Sequence, residues 1–241
     1  MKTNKLSSLL LADIPKYELN VPSSGKSIKY RPFLVKEEKV LLIAQESGSE
    51  SEMIDAIKRI IESCTEEVTD AGAIPIFDVE YIFLQVRAKS VGEIIEPTII
   101  CSETGEKITL SLNISDITPK KVKNHTKEVK INDNIVVELE YPTLNHLNSS
   151  EIFIDYLNPS SFYDILSSCI VKIQTKGEVI DAKSLPHEEI SEFVDNLTNN
   201  QFEKLLDFFL TSPRIESVVK YTTSDEVERE VVLSGLSDFF G

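Results

Sequence analysis

The chain of 241 residues carries 40 acidic and 25 basic side chains, a formal net charge of −15, with 41% hydrophobic residues and eight glycines. That apolar content over this length suits one large or two modest folded domains and excludes a chain disordered throughout. The acidic balance argues against a general affinity for nucleic acid or anionic membrane, because such binding depends on neutralising phosphates with Lys and Arg.

The opening segment has two lysines and a short apolar run, Leu9 to Ala12, which Asp13 and Pro15 interrupt. It is too short for a secretory signal or a membrane span. Cys64, Cys101 and Cys169 are odd in number and far apart, so neither a disulfide framework nor a local metal motif is expected, and a reducing cytoplasm is the natural compartment. Tyr17, Leu19 and Val21 alternate with polar residues, Ser23 to Lys26 is a turn, and Ile28, Tyr30 and Pro32 alternate again, which predicts a β-hairpin. The period then changes. Val40 to Ala44, apolar all round, predicts a buried helix. Ser49 with Glu52 predicts a capping box for the next helix, whose stripe is Ile54, Ile57, Ile61 and Cys64. A third helix carries Val79, Ile82, Phe83 and Val86 on one face, with Asp78 as its cap, Phe77 stapling onto Ile82, and Arg87 and Lys89 near the C-terminal dipole. Ile94 to Cys101 and Lys107 to Leu112, joined by Ser102 to Gly105, read as a second hairpin.

Pro119 to Lys130 is the basic island, with Lys120, Lys121, Lys123, Lys127 and Lys130, and a strand is predicted over Ile135 to Tyr141. Residues 1–145 carry 18 basic and 23 acidic side chains (18 − 23 = −5), and 146–241 carry 7 and 17 (7 − 17 = −10). This shift, with Pro142 and the polar stretch Asn145 to Ser150, predicts two lobes, 1–145 and 146–241. Helical stripes follow at Phe162, Ile165, Leu166, Cys169; at Ile190, Phe193, Val194, Leu197; and at Phe202, Leu205, Leu206, Phe209. A small turn at Thr175 to Glu178 separates two short apolar runs, and a terminal hairpin spans Ile215 to Tyr221 and Val227 to Leu233. The expected fold class is α+β: a mixed hairpin-and-helix N-terminal lobe, then a mainly helical C-terminal lobe.

No motif for catalysis stands out. His125, His146 and His187 are scattered, with no HExxH, GxSxG, GxGxxG or GxxxxGK[ST] pattern. The hairpin at Cys101 resembles half a zinc knuckle, but Thr104 stands where the second sulfur belongs, so Cys101 reads as a small apolar strand residue. Adjacent acids such as Glu37-Glu38, Glu66-Glu67 and Glu188-Glu189 diverge on a helix and read as solvated faces. The expectation is no catalytic, cofactor-binding or metal residue and no cofactor. The lysine island lacks interleaved aromatics for base stacking, so it reads as a solvated loop or a patch for an acidic protein surface. Leu236, Phe239 and Phe240, in the final six residues, must either dock on the second lobe or meet a partner.

The order of segments is informative beyond chemistry. Tyr17–Ser47 (YELNVPSSGKSIKYRPFLVKEEKVLLIAQES), Phe77–Glu93 (FDVEYIFLQVRAKSVGE), a strand ending in Cys101 and the closing Gly235–Gly241 (GLSDFFG) resemble the baseplate hub assembly proteins of T4-like contractile-tailed bacteriophages. The resemblance covers the first 145 residues well and the remainder loosely. It implies a late, non-enzymatic virion assembly protein, a chaperone or a hub component, acting through protein-protein contacts with hub or tail proteins. It implies residence in the host cytoplasm during assembly and, if the protein is retained, in the virion baseplate. The alternatives are a phage-encoded binding protein for a basic host or phage partner, and a hydrolase whose residues converge only in three dimensions.

Overall fold

The computed structural model describes residues 13–120, 122–147 and 159–240, apart from the side chains of 50, 159–161, 237 and 240. In chain order the elements are β1 (Tyr17–Asn20), β2 (Ser27–Tyr30), α1 (Val35–Ser47), α2 (Glu50–Cys64), α3 (Ile76–Ser90), β3 (Ile94–Ile95), β4 (Thr98–Ile100), β5 (Lys107–Thr109), β6 (Leu112–Asn113), β7 (Glu128–Lys130) and β8 (Val136–Leu139). After them come α4 (Pro159–Cys169), β9 (Ile170–Gln174), β10 (Val179–Asp181), α5 (His187–Asp195), α6 (Asn199–Thr211), β11 (Glu216–Thr222), β12 (Glu228–Ser234) and α7 (Gly235–Phe240).

The chain folds as two compact units, one made of Met1–Pro119 with Ile215–Gly241, the other of Lys120–Arg214. The division expected at 145/146 runs through the second unit. There β7 and β8, before that point, pair with β9 and β10, after it, in one antiparallel sheet of order β10-β9-β8-β7. Composition missed this because hydrogen bonding joins strands that are far apart in sequence. The mainly helical C-terminal lobe is corrected as well, since strands β9 to β12 alternate with its helices.

In the first unit β1 and β2 form the expected hairpin, with Tyr17 opposite Tyr30 and Leu19 opposite Ile28. Gly25 closes its turn at φ 68°, donating to the Val21 carbonyl. The helix α1 departs from expectation: Glu37 and Ala44 are its buried residues, while Leu42 and Ile43 are each 53% exposed and Val35 is 79% exposed. An apolar run on all sides of a helix fixes no face, and packing against α2 covers only one. Glu37 is buried because its carboxylate accepts from the Leu34 N–H at 2.8 Å and pairs with Arg31 at 3.0 Å. In α2 the stripe Ile54, Ile57, Ile61 and Cys64 is buried, and the Ser49 hydroxyl accepts from the Glu52 N–H. The stripe of α3 is buried too, but Pro75 caps that helix, and Asp78 instead accepts from the Ser23 backbone N–H (3.0 Å) and from the Ser23 hydroxyl. Leu84 and Ala88 of α3, Ile114, Ile215, Leu233 of β12 and Phe239 of α7 join one apolar cluster.

The second unit builds its core between the four-stranded sheet and α4, α5 and α6, with Val137, Leu139, Leu166, Ile170 and Leu205 at most 1% exposed. Its two ends lie side by side, where the Lys120 N–H donates to the Arg214 carbonyl at 3.1 Å in an antiparallel bridge. That closure is what an insertion into another unit requires of its termini.

Candidate interaction sites

In the second unit the basic island and α6 flank a cleft of about 530 Å³ lined by Lys123, His125, Lys130, Glu203, Lys204 and Asp207 among others. The island is not one uniform cationic face. Lys120 enters the chain-closing bridge through its backbone N–H, Lys121 lies outside the described residues, Lys127 rests over the Tyr141 ring at 4.6 Å, and Lys130 pairs with Asp133 at 2.9 Å. Lys204 donates to the Ile131 carbonyl at 2.8 Å. Among the described residues, Lys123 and Lys130 are the island lysines that line the cleft. Facing them, Glu128, Glu203 and Asp207 have no ion-pair partner among the described residues. Glu203 and Asp207, four apart on α6, share one helix face.

His125 anchors the island. Its ring stacks on Phe208 at 5.0 Å and on Tyr141 at 5.6 Å, and Nδ1 lies 2.9 Å from the Thr211 hydroxyl. That hydroxyl donates to the Asp207 carbonyl at 2.7 Å, so Nδ1 carries the hydrogen and Thr211 accepts it. Burial, aided by Lys127 and opposed by Asp207, lowers the His125 pKa and keeps the ring neutral. Stacking and the Thr211 hydroxyl hold the neutral ring in place, and its buried Nε2 has no hydrogen-bond partner among the described residues. His146 sits 3.4 Å from Glu140, and His187 lies 3.9 Å from Asp164. Among the described residues no group of three or more His, Cys, Asp and Glu is placed to hold a metal ion, and no helix is long and apolar enough to cross a membrane.

The tail is the other candidate. Phe239 is 2% exposed and belongs to the apolar cluster of the first unit, Leu236 packs beside that cluster, and the Phe240 side chain lies outside the described residues. Gly235 starts α7 at φ 70°, the Ser234 N–H donates to Asp238 at 2.8 Å, and the Leu236 N–H donates to the Glu80 carboxyl of α3. Burial pushes that carboxyl up to about 8. Sequence reading passed over Glu80, because a single acid on a helix carries no signal of what packs on it.

It also passed over a polar clasp in the first unit. Arg229 of β12 pairs with Asp225 at 2.8 Å and Glu103 at 3.0 Å, while the Ser224 N–H and hydroxyl donate to Glu106, fastening the β11–β12 turn to the β4–β5 turn. Cys101, at the mouth of that second turn, is 1% exposed, yet it is more than the apolar strand residue expected. The Thr104 hydroxyl first, then the Tyr221 hydroxyl and backbone amides, pull its thiol down to about 7. Cys64, by contrast, is pushed up to about 11 by burial, and Cys169 is raised by the same cause.

Residues 14–241 match the family described as T4 bacteriophage base plate protein. No curated protein and no solved structure matches the chain. The family match takes in β1 to α7, hence both compact units and the inserted sheet. The chain belongs to the T4 bacteriophage base plate protein family.

Proposed function

We propose that this baseplate protein is a non-enzymatic assembly factor of the baseplate hub, a chaperone or a hub component, that works through contacts with hub or tail proteins and with neither nucleic acid nor membrane. The observation that carries the reading is the family match from residue 14 to residue 241, which spans both units rather than one borrowed module. The segment resemblance to hub assembly proteins, including the tail Gly235–Gly241, supports the narrower hub assignment. The protein acts in the host cytoplasm during assembly and, as a hub component, stays in the virion tail.

A second reading is favoured by one observation. Glu128, Glu203 and Asp207, without ion-pair partners among the described residues on a chain of net charge −15, suit a basic segment of a host or phage partner. Mass spectrometry of purified particles beside pull-downs from infected cells separates the roles. Hub proteins captured in cells with the chain absent from particles indicate a chaperone; its presence in particles at fixed stoichiometry indicates a hub component. Capture of basic host proteins without any tail protein contradicts the hub reading.

A further inference from the structure

The ribbon of β11 and β12 is built from two strands of seven residues each, and among the described residues no third strand joins either edge. Its inner face, Val219, Tyr221, Val231 and Leu233, packs into the apolar cluster of the first unit. Its outer face sets Val218 opposite Val232, 47% and 54% exposed, and holds Lys220 beside Glu228 at 2.9 Å and Glu230 at 3.7 Å. Two bonds fix where the backbone groups point. The Gly235 N–H donates to the Ile215 carbonyl at 3.1 Å and the Thr223 N–H to the Val227 carbonyl at 3.5 Å, both in the register of the ribbon. Hydrogen-bonded pairs alternate along an antiparallel ladder, so Val218, Lys220, Thr222, Glu228, Glu230 and Val232 occupy the positions between them. Their N–H and C=O groups turn outward to the two edges and meet no backbone partner among the described residues. The edge of β12 ends where the Ser234 N–H donates to Asp238 at 2.8 Å, and it is open from Glu228 to Val232.

We propose that the open edge of β12, Glu228 to Val232, takes up an extended basic segment of another protein as an added antiparallel strand. The backbone groups of Glu228, Glu230 and Val232 supply the hydrogen bonds, as in other cases of strand addition to a free sheet edge. The side chains name the occupant. Two exposed acids stand on the outer face of this edge, Glu226 is exposed in the turn before them, and Lys220 is shared between both strand acids. A second copy of β12 would bring its own Glu228 and Glu230 to the same ribbon, on a chain of net charge −15. A basic strand removes that conflict. Read in its own direction, it places a β-branched residue opposite Val232 and then, at every second position, a Lys or Arg opposite Glu230 and another opposite Glu228. The surface shares no residue with the cleft of the second unit, and it holds for any tail protein that carries such a segment.

The test is NMR of the isotope-labelled full chain with a short synthetic peptide that alternates threonine with one valine and two lysines in that order. A second peptide, N-methylated at the valine and both lysines, keeps the charges and blocks strand pairing. The expected result is saturable binding of the first peptide, slowed hydrogen exchange at the Glu228, Glu230 and Val232 amides, and no binding of the second. Glu228→Lys combined with Glu230→Lys should weaken binding about tenfold while circular dichroism keeps its folded form. Should that variant lose its fold, the methylated peptide still decides. Equal binding of both peptides reduces the contact to charge and overturns the proposal, as does no binding or unchanged exchange at the three amides. Protection of those amides that grows with protein concentration in the absence of peptide assigns the edge to a second copy and overturns it too. None of these outcomes alters the hub assignment, which the composition of particles tests.

Discussion

Phe83 shows what one side chain holds. It is 4% exposed on α3, and truncating a buried Phe costs about 3–5 kcal/mol, a large share of the 5–15 kcal/mol that stabilises a typical domain. Phe83→Ala should therefore lower the denaturant midpoint sharply, and an unchanged midpoint would place the side chain in water. At the clasp, hydrogen bonds from Arg229 and then from Thr223 hold the Asp225 carboxyl well below its ordinary 3.8. A carboxyl that titrates lower when folded contributes stability above its ordinary value and loses it as pH falls toward the folded one. Asp225→Asn should thus melt below the parent protein at pH 7, with the gap closing toward pH 2. A gap independent of pH would remove the ion pair from the explanation.

Elements differ in how far the sequence announces them. The faces of α2 and α3 were legible because Ile57 and Ile61, or Ile82 and Val86, repeat at helical spacing and are buried where that spacing puts them. The face of α1 was not, because Val40 to Ala44 is apolar in every direction and only its contact with α2 decides which side is covered. Leu42→Glu should accordingly change stability by no more than about 0.5 kcal/mol, as surface substitutions do, whereas a loss of several kcal/mol would return Leu42 to a core. In the sheet of the second unit β8 was legible, whereas β7 lies in the lysine island, which reads as a loop, and the pairing of β8 with β9 is non-local. Of the candidate contacts, the lysines could be found by counting. The seat of Lys127 over the Tyr141 ring could not, since it follows from how the fold brings that distant ring to the lysine.

For the whole molecule, the discontinuous first unit and the inserted Lys120–Arg214 unit make a definite expectation. The insert has its own sheet, its own core and paired ends, so a protein of residues 120–214 should unfold cooperatively when expressed alone. A gradual, non-cooperative melt would mean that the insert depends on the rest of the chain. Belonging to the base plate protein family gives the chain tail or baseplate partners, and the hub assignment is the claim with most at stake. Its most direct measurement is electron microscopy of tail structures from cells infected by the parent phage lacking this gene, with and without the protein supplied in trans. The account predicts that hub and complete baseplates fail to form without the protein and return when it is supplied. Normal baseplates in its absence would contradict it.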